Sequence, residues 1–307
     1  MLIGLILTPR SPESYTLDMP DNDLRKRIEA LNGRPLTNVP VAPVEVFDKT
    51  PPVRLRKPKS TVQLEDVIAG VVTQASTGPG YYHIEQPAVE LEADARPIHH
   101  RFVSLTGHPD GCAVDRICHL CKSKRIHPEK ILFLDIETTG LSSTPLFLIG
   151  TMECADGEFL FKQYFARNFS EEASVLAAIS QRLDDISMLV TFNGKSFDFP
   201  YIQNRCAAWG VKIRQPKSHL DLLHEARGKY RRDLPNCKLQ TLEQLVCGRC
   251  REDDIPGSEI PRAYNDFVRT GNASKISRIL THNLYDLLTM ADLMSRMWGR
   301  EYKDVEN

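Results

Sequence analysis

The run Ile131-Leu132-Phe133-Leu134-Asp135-Ile136-Glu137-Thr138-Thr139-Gly140-Leu141 sends four apolar residues straight into two acids one residue apart, then stops at a Thr-Thr-Gly turn. In a strand, residues two apart point to the same side, so Asp135 and Glu137 become paired negative charges at the edge of a core. Neighbouring carboxylates repel, and a fold keeps them together at low cost only if something positive lies between them. A hard divalent cation is the usual answer.

At 307 residues the chain has room for one domain of about 170 to 200 residues and a smaller unit. Its 41% apolar content supplies a core, and its net charge of −1 carries no global basic field, so contact with nucleic acid must rest on local clusters. The opening Met1 to Leu7 is apolar but breaks at Thr8-Pro9-Arg10, too short for a signal segment or a membrane span. Eight scattered cysteines lack the density of a secreted disulfide scaffold and point to reduced thiols in a cytoplasm, with no membrane partner.

Prolines interrupt almost every candidate element in residues 1–60, which read as an extension or linker. Its basic run Arg54-Leu55-Arg56-Lys57-Pro58-Lys59 reads as solvated chain before it reads as a polyanion contact. Residues 61–128 form a small β-containing accessory region, with strand-like segments at Gly70–Gln74 and Tyr81–Glu85. Tyr81 and Tyr82 could stack on bases, but adjacency on a strand sends one of them into a core.

The main domain spans 129–301. After the opening strand, Leu146–Met152 and Glu158–Phe165 pair across the Asp156-Gly157 turn. Helices and strands then alternate: a helix after Ser170, a strand at Met188–Phe192, a helix from Phe197 to Trp209, and a strand at His219–Leu223. Helices follow at Leu239–Val246 and Pro261–Thr270. The last helix carries Leu284, Leu287, Leu288, Ala291 and Met294 as an apolar stripe. This pattern predicts an α/β fold with a mixed five-stranded sheet flanked by helices.

Two further acids stand where such a fold can gather them. Asp198 follows a strand end and opens a helix, and Asp286 shares a helix face with His282 four residues earlier. Asp135, Glu137, Asp198 and Asp286 suffice to hold two Mg²⁺ or Mn²⁺ ions, which clamp the attacking and leaving oxygens of a phosphodiester. His282 is suited to take a proton from water. Singly, an Asp at a strand end is usually a cap or turn residue. His219 and Asp221 support the site from a neighbouring strand end or simply make structural hydrogen bonds. Arg227, Lys229, Arg231 and Arg232 form a phosphate track or a solvated helix end. Cys118 with Cys121 and Cys247 with Cys250 are two Cys-x-x-Cys pairs that build a structural zinc site if the fold joins them; buried free thiols are the alternative.

Asp135-Ile136-Glu137-Thr138-Thr139-Gly140-Leu141 resembles the first motif of the DEDD exonucleases, which have a ribonuclease-H-like fold. Phe192-Asn193-Gly194-Lys195-Ser196-Phe197-Asp198 resembles their second motif, and His282-Asn283-Leu284-Tyr285-Asp286 their third. The run Asp253-Asp254-Ile255-Pro256-Gly257 is similar to the bacterial YprB-type branch in particular. Over residues 129–298 the resemblance implies a metal-dependent 3′ to 5′ exonuclease that acts on single-stranded or frayed DNA or RNA and releases nucleoside monophosphates. It implies metal ligation by Asp135, Glu137, Asp198 and Asp286 and a general-base role for His282. Thr138, Leu141 and Asn193 fall among its substrate-binding positions. Histidine-type members place His five residues before the last Asp; here the step is four, as in the tyrosine-type members, which leaves Tyr285 as a rival base. Two other functions stay open: a structure-selective endonuclease on the same fold, and a non-catalytic nucleic-acid-binding or scaffold protein.

Overall fold

The central strand, β3 (Ile131–Thr138), pairs antiparallel with β4 (Leu146–Ala155) on one side and parallel with β6 (Met188–Thr191) on the other. This is a computed structural model, and it describes residues 61–76, 78–107, 127–141 and 143–298. The expectations for the proline-rich segment 1–60, and for Cys118 and Cys121, lie outside the described residues.

β4 returns as β5 (Glu158–Phe165) through Asp156-Gly157, both in the left-handed region (φ 49° and 84°), which suits a tight hairpin turn. β7 (His219–Asp221) lies parallel beyond β6. The sheet also continues past β5. There β2 (Tyr81–Pro87) pairs antiparallel with β5, and β1 (Val71–Thr73) pairs with β2, giving seven strands in the order β1-β2-β5-β4-β3-β6-β7 where the sequence pattern suggests five. Tyr81 and Tyr82 are both buried, and the Tyr82 hydroxyl donates to the Ile68 carbonyl at 3.0 Å, so these rings anchor the added strand and are not open to bases.

Helices cover both faces. α1 (Leu64–Val67), α3 (Glu172–Asp184), α4 (Asp198–Trp209) and α7 (Ile260–Thr270) share a core with Leu132, Leu134 and Ile136. α2 (Ala95–Gly107), α5 (Leu222–Tyr230), α6 (Leu239–Leu242) and most of α8 (Ile276–Trp298) pack against Ile131 and Phe133. Alternation along β3 therefore turns Asp135 and Glu137 toward the face that α8 covers.

Two predicted boundaries move. Leu222 and Leu223 open α5, because the Asp221 side chain accepts from the Leu223 amide at 3.1 Å and caps the helix in place of a longer strand. The helix predicted over Leu239–Val246 is one α-turn that passes into a π-turn, Glu243–Cys247, closed by Gly248 at φ 71°. Among the described residues no helix is long and apolar enough to cross a membrane.

Candidate active site

Asp135 and Glu137 leave β3 where its register with β4 shifts, between Glu137 and Thr138. Opposite Asp135 on β4 stands Gly150, where a Cβ would come within 1.8 Å of the Asn283 side-chain oxygen. The missing side chain lets α8 approach the sheet closely. Asn283, fully buried, donates to the Asp135 carboxylate at 2.8 Å and accepts from the Gln163 side-chain amide at 2.9 Å. Gln163 on β5 thus orients Asn283, and Asn283 orients Asp135.

Asp198 is the first residue of α4 and is buried. Its approach is set by the loop Asn193–Lys195. The Asp221 carboxylate accepts from the backbone amides of Asn193 (2.8 Å) and Lys195 (3.0 Å), which favours the left-handed backbone of Asn193 (φ 66°). His219 bonds the Thr191 hydroxyl at 2.8 Å, and burial pushes its pKa down to about 4. Both residues hold the loop that carries the second motif.

Burial pushes the Asp135 and Glu137 carboxyls well above the ordinary range, and repulsion adds to it, from Asp286 first and then from the other acids of the group. Burial likewise raises Asp198 to about 7, with repulsion from Asp221 and Asp286 adding to it, although backbone hydrogen bonds from its own amide and from Ile136 on β3 pull the other way. Among the described residues no Lys, Arg or His nitrogen lies within 4.0 Å of Asp135, Glu137 or Asp198. Asp286 is different, because Arg251 bonds its carboxylate at 2.5 Å. Arg251 is buried and also pairs with Glu243 at 2.7 Å and Asp254 at 3.4 Å. His282 lies over the same group, Nδ1 at 2.8 Å from Asp254 and Nε2 at 3.7 Å from Asp286. The Tyr285 ring sits beneath the Arg251 guanidinium at 5.4 Å.

Among the described residues no three His, Cys, Asp or Glu side chains converge closely enough to ligate a single ion in this conformation. The donor chemistry nevertheless fits hard cations: oxygen ligands only, three of them without a counter-charge, with Asp135 and Asp286 lining an open cleft. A cavity of about 510 Å³ reaches from Asp135 and Asp286 past Phe192 and Asn193 to Arg227 and Lys238.

Of the other sequence-predicted positions, Thr138 turns its hydroxyl to the Gly140 carbonyl at 2.7 Å, and Leu141 is 88% exposed beside it. Asn193 lines the cleft. Arg231 and Arg232 stand exposed at the end of α5 and do not line it; Arg227 and Lys238 do, and Lys229 instead donates to the Met297 carbonyl at 2.8 Å. Cys247 is buried against α8, where burial pushes its thiol up to about 12, and Cys250 is exposed. Sequence reasoning missed Arg251, Asp254 and Asn283 as site residues. Asp254 and Asn283 sit inside the motif runs without a role assigned to them, and Gly150 inside an apolar strand was a further local signal, since such a glycine marks a close approach.

A mixed sheet with helices on both faces and acids gathered at strand ends and on the last helix defines a protein of ribonuclease-H-like architecture. The chain belongs to the RNase H superfamily: the family profile described as "RNase_H superfamily" matches residues 132–298. It is 29% identical over 188 residues to the Bacillus subtilis (strain 168) protein titled "Uncharacterized protein YprB", a match that covers 59% of this chain and 45% of that protein. The chain thus spans less than half the length of this curated relative. A family B DNA polymerase from the hyperthermophilic archaeon Pyrobaculum calidifontis aligns at 18% identity with a TM-score of 0.45, over 55% of this chain and 24% of the polymerase.

Proposed function

We propose that the chain is a metal-dependent nuclease that removes nucleotides from the 3′ end of single-stranded or frayed DNA or RNA, in a reducing cytoplasm. The observation that carries this reading is the group Asp135, Glu137 and Asp198, three acids with no Lys, Arg or His nitrogen of the described residues beside them, raised in pKa by burial and by repulsion from neighbouring acids, Asp286 among them. A structural role does not account for such a group, because burying like charges unpaired is costly.

Asp135, Glu137, Asp198 and Asp286 would hold two Mg²⁺ or Mn²⁺ ions, which would supply Lewis-acid polarisation of the scissile phosphate and a nucleophilic water near neutral pH. The residues of the chain do the rest. Asn283 fixes the Asp135 carboxylate through its 2.8 Å bond. His282 takes the proton of the attacking water at Nε2, the nitrogen that faces Asp286. Thr138, Leu141 and Asn193 border the terminal nucleotide. Arg227 and Lys238 give the cleft wall a positive charge that follows the phosphates of the preceding nucleotides. Water adds to phosphorus as the P–O3′ bond breaks, releasing a nucleoside monophosphate, and the departing O3′ takes a proton from solvent to become the new 3′ hydroxyl.

The test is degradation of 5′-labelled single-stranded DNA and RNA with Mn²⁺. A ladder that shortens stepwise from the 3′ end is expected. Internal cuts at junctions would transfer the reading to an endonuclease, and binding without cleavage would remove the chemistry altogether.

A further inference from the structure

The Asp253-Asp254-Ile255-Pro256-Gly257 run stands apart in sequence from the three acidic motifs, yet its second acid enters their site. Its neighbour Ile255 is buried in the core. Arg278 of α8 donates to the backbone carbonyls of Asp253 and Asp254, both at 3.1 Å. The loop is thus anchored mainly by an apolar side chain and by backbone, and the Asp254 carboxylate makes two contacts of its own, the longer one from Oδ2 to Arg251 at 3.4 Å. That carboxylate adds a negative charge to an overcrowded group, since Asp254 is among the acids that raise Glu137. Arg251 answers it only weakly, at 3.4 Å, because that guanidinium is shared with Glu243 at 2.7 Å and Asp286 at 2.5 Å; its closest partner is His282, whose Nδ1 lies 2.8 Å from Oδ1.

We infer that Asp254 is a positioning residue for His282, fixing the imidazole so that its Nε2 lone pair faces the reacting site. An ionised carboxylate only accepts, so in a neutral ring its contact selects the tautomer with the proton on Nδ1 and the lone pair on Nε2. Nε2 is the atom directed at Asp286, 3.7 Å away. Arg251 keeps Asp254 from turning to Asp286, because it lies between them and bonds both carboxylates. The same contact accounts for the four-residue step between His282 and Asp286, since the ring's direction is set from the loop as well as by its place on α8. The inference rests on the nuclease reading for its consequence but not for the ring's geometry.

Asp254→Asn in the full chain, beside His282→Ala and the double variant, tests it. Nearly the same size as Asp, Asn keeps the loop's anchoring, but its amide can donate to Nδ1 and so reverse the tautomer. We expect kcat on single-stranded DNA to fall ~10–100-fold with KM changed less than about threefold. In the His282→Ala background the same substitution costs less than about twofold, because its route of action is gone. Nitrogen-15 NMR of the metal-free protein should show His282 protonated at Nδ1 in the native chain and the pattern lost in Asp254→Asn. That spectrum needs neither substrate nor metal. A native protein that shows the pattern and cuts nothing supports the positioning and defeats the nuclease reading. A native ring protonated at Nε2, a pattern indifferent to Asp254→Asn, or full independent losses in the double variant would overturn the role of Asp254.

Discussion

Glu153 and Glu172 are as deeply placed as the acids of the cleft, and they live under opposite electrostatics. Glu172 is 1% exposed and saturated: its carboxylate accepts from Arg205 at 2.6 and 2.5 Å, from the Trp209 indole at 2.7 Å and from the Leu146 amide at 2.8 Å. Burial pushes Glu153 upward, but Lys162 and Arg182 more than offset it and hold its carboxyl below the ordinary value. Asp135, Glu137 and Asp198 are pushed upward with no cation to answer. A buried acid supports a fold when its lone pairs and charge are met from within the chain. When they are not, the fold carries a cost that a ligand from outside can remove, and perturbed groups of that kind gather at functional sites.

The largest effect should separate activity from stability. Asp135→Asn keeps the bond to Asn283 and removes one unanswered charge. Cleavage should fall by ~10³-fold or more, the order seen when a group that stabilises transition-state charge is lost, while the thermal midpoint without metal stays level or rises. A midpoint lowered by many degrees, measured by calorimetry, would place Asp135 with the structural acids and dissolve the contrast. Glu172→Ala should do the reverse. It strands Arg205, 14% exposed, and the Trp209 indole, for a loss of about 3–5 kcal/mol, the order for breaking a buried pair. Urea titration reads that loss, and cleavage per folded molecule should hold. Reduced turnover with unchanged stability would mean that the paired acids also reach the chemistry.

This division was only half legible in the sequence. The strand Ile131–Thr138 and the acids at its end announce themselves through alternation, and the apolar stripe of the last helix fixes which side it buries. These signals are local, with periods of two or 3.6 residues. The partners are not local. Arg251 reaches Asp286 across 35 residues, Asn283 reaches Asp135 across 148, and Arg205 reaches Glu172 across 33. No spacing rule distinguishes the acid that receives an arginine from the one that does not. The same reason hides the two extra strands, since β2 finds β5 across α2, β3 and β4. In the basic cluster, side-chain direction at the end of α5 decided the outcome: Arg227 lines the cleft and Arg231 and Arg232 do not.

The smallest effect is the sharpest test of the comparison, because the two kinds of acid respond to pH with opposite signs. Asp198 is raised from 3.8 to about 7. Between those values the folded protein holds a proton that the unfolded chain has released, so its contribution is fully present below the unfolded value and is lost as pH rises through about 7. Glu153, held low, contributes above its unfolded value and loses the contribution as pH falls through its folded one. Buried His219, pushed down to about 4, also favours folding as pH rises, so the native curve alone mixes signs. The difference between native protein and Asp198→Asn removes the shared terms. In a chelator, the stability advantage of Asp198→Asn should widen from pH 5 to pH 7.5 by at most ~1.4 kcal/mol per pH unit, less where water reaches the cleft. Addition of Mn²⁺ should reverse it, since a cation rewards the charged form that burial penalises. A gap that stays flat with pH in the chelator, or an advantage that survives Mn²⁺, would mean that Asp198 is answered from within the chain after all, as Glu172 is.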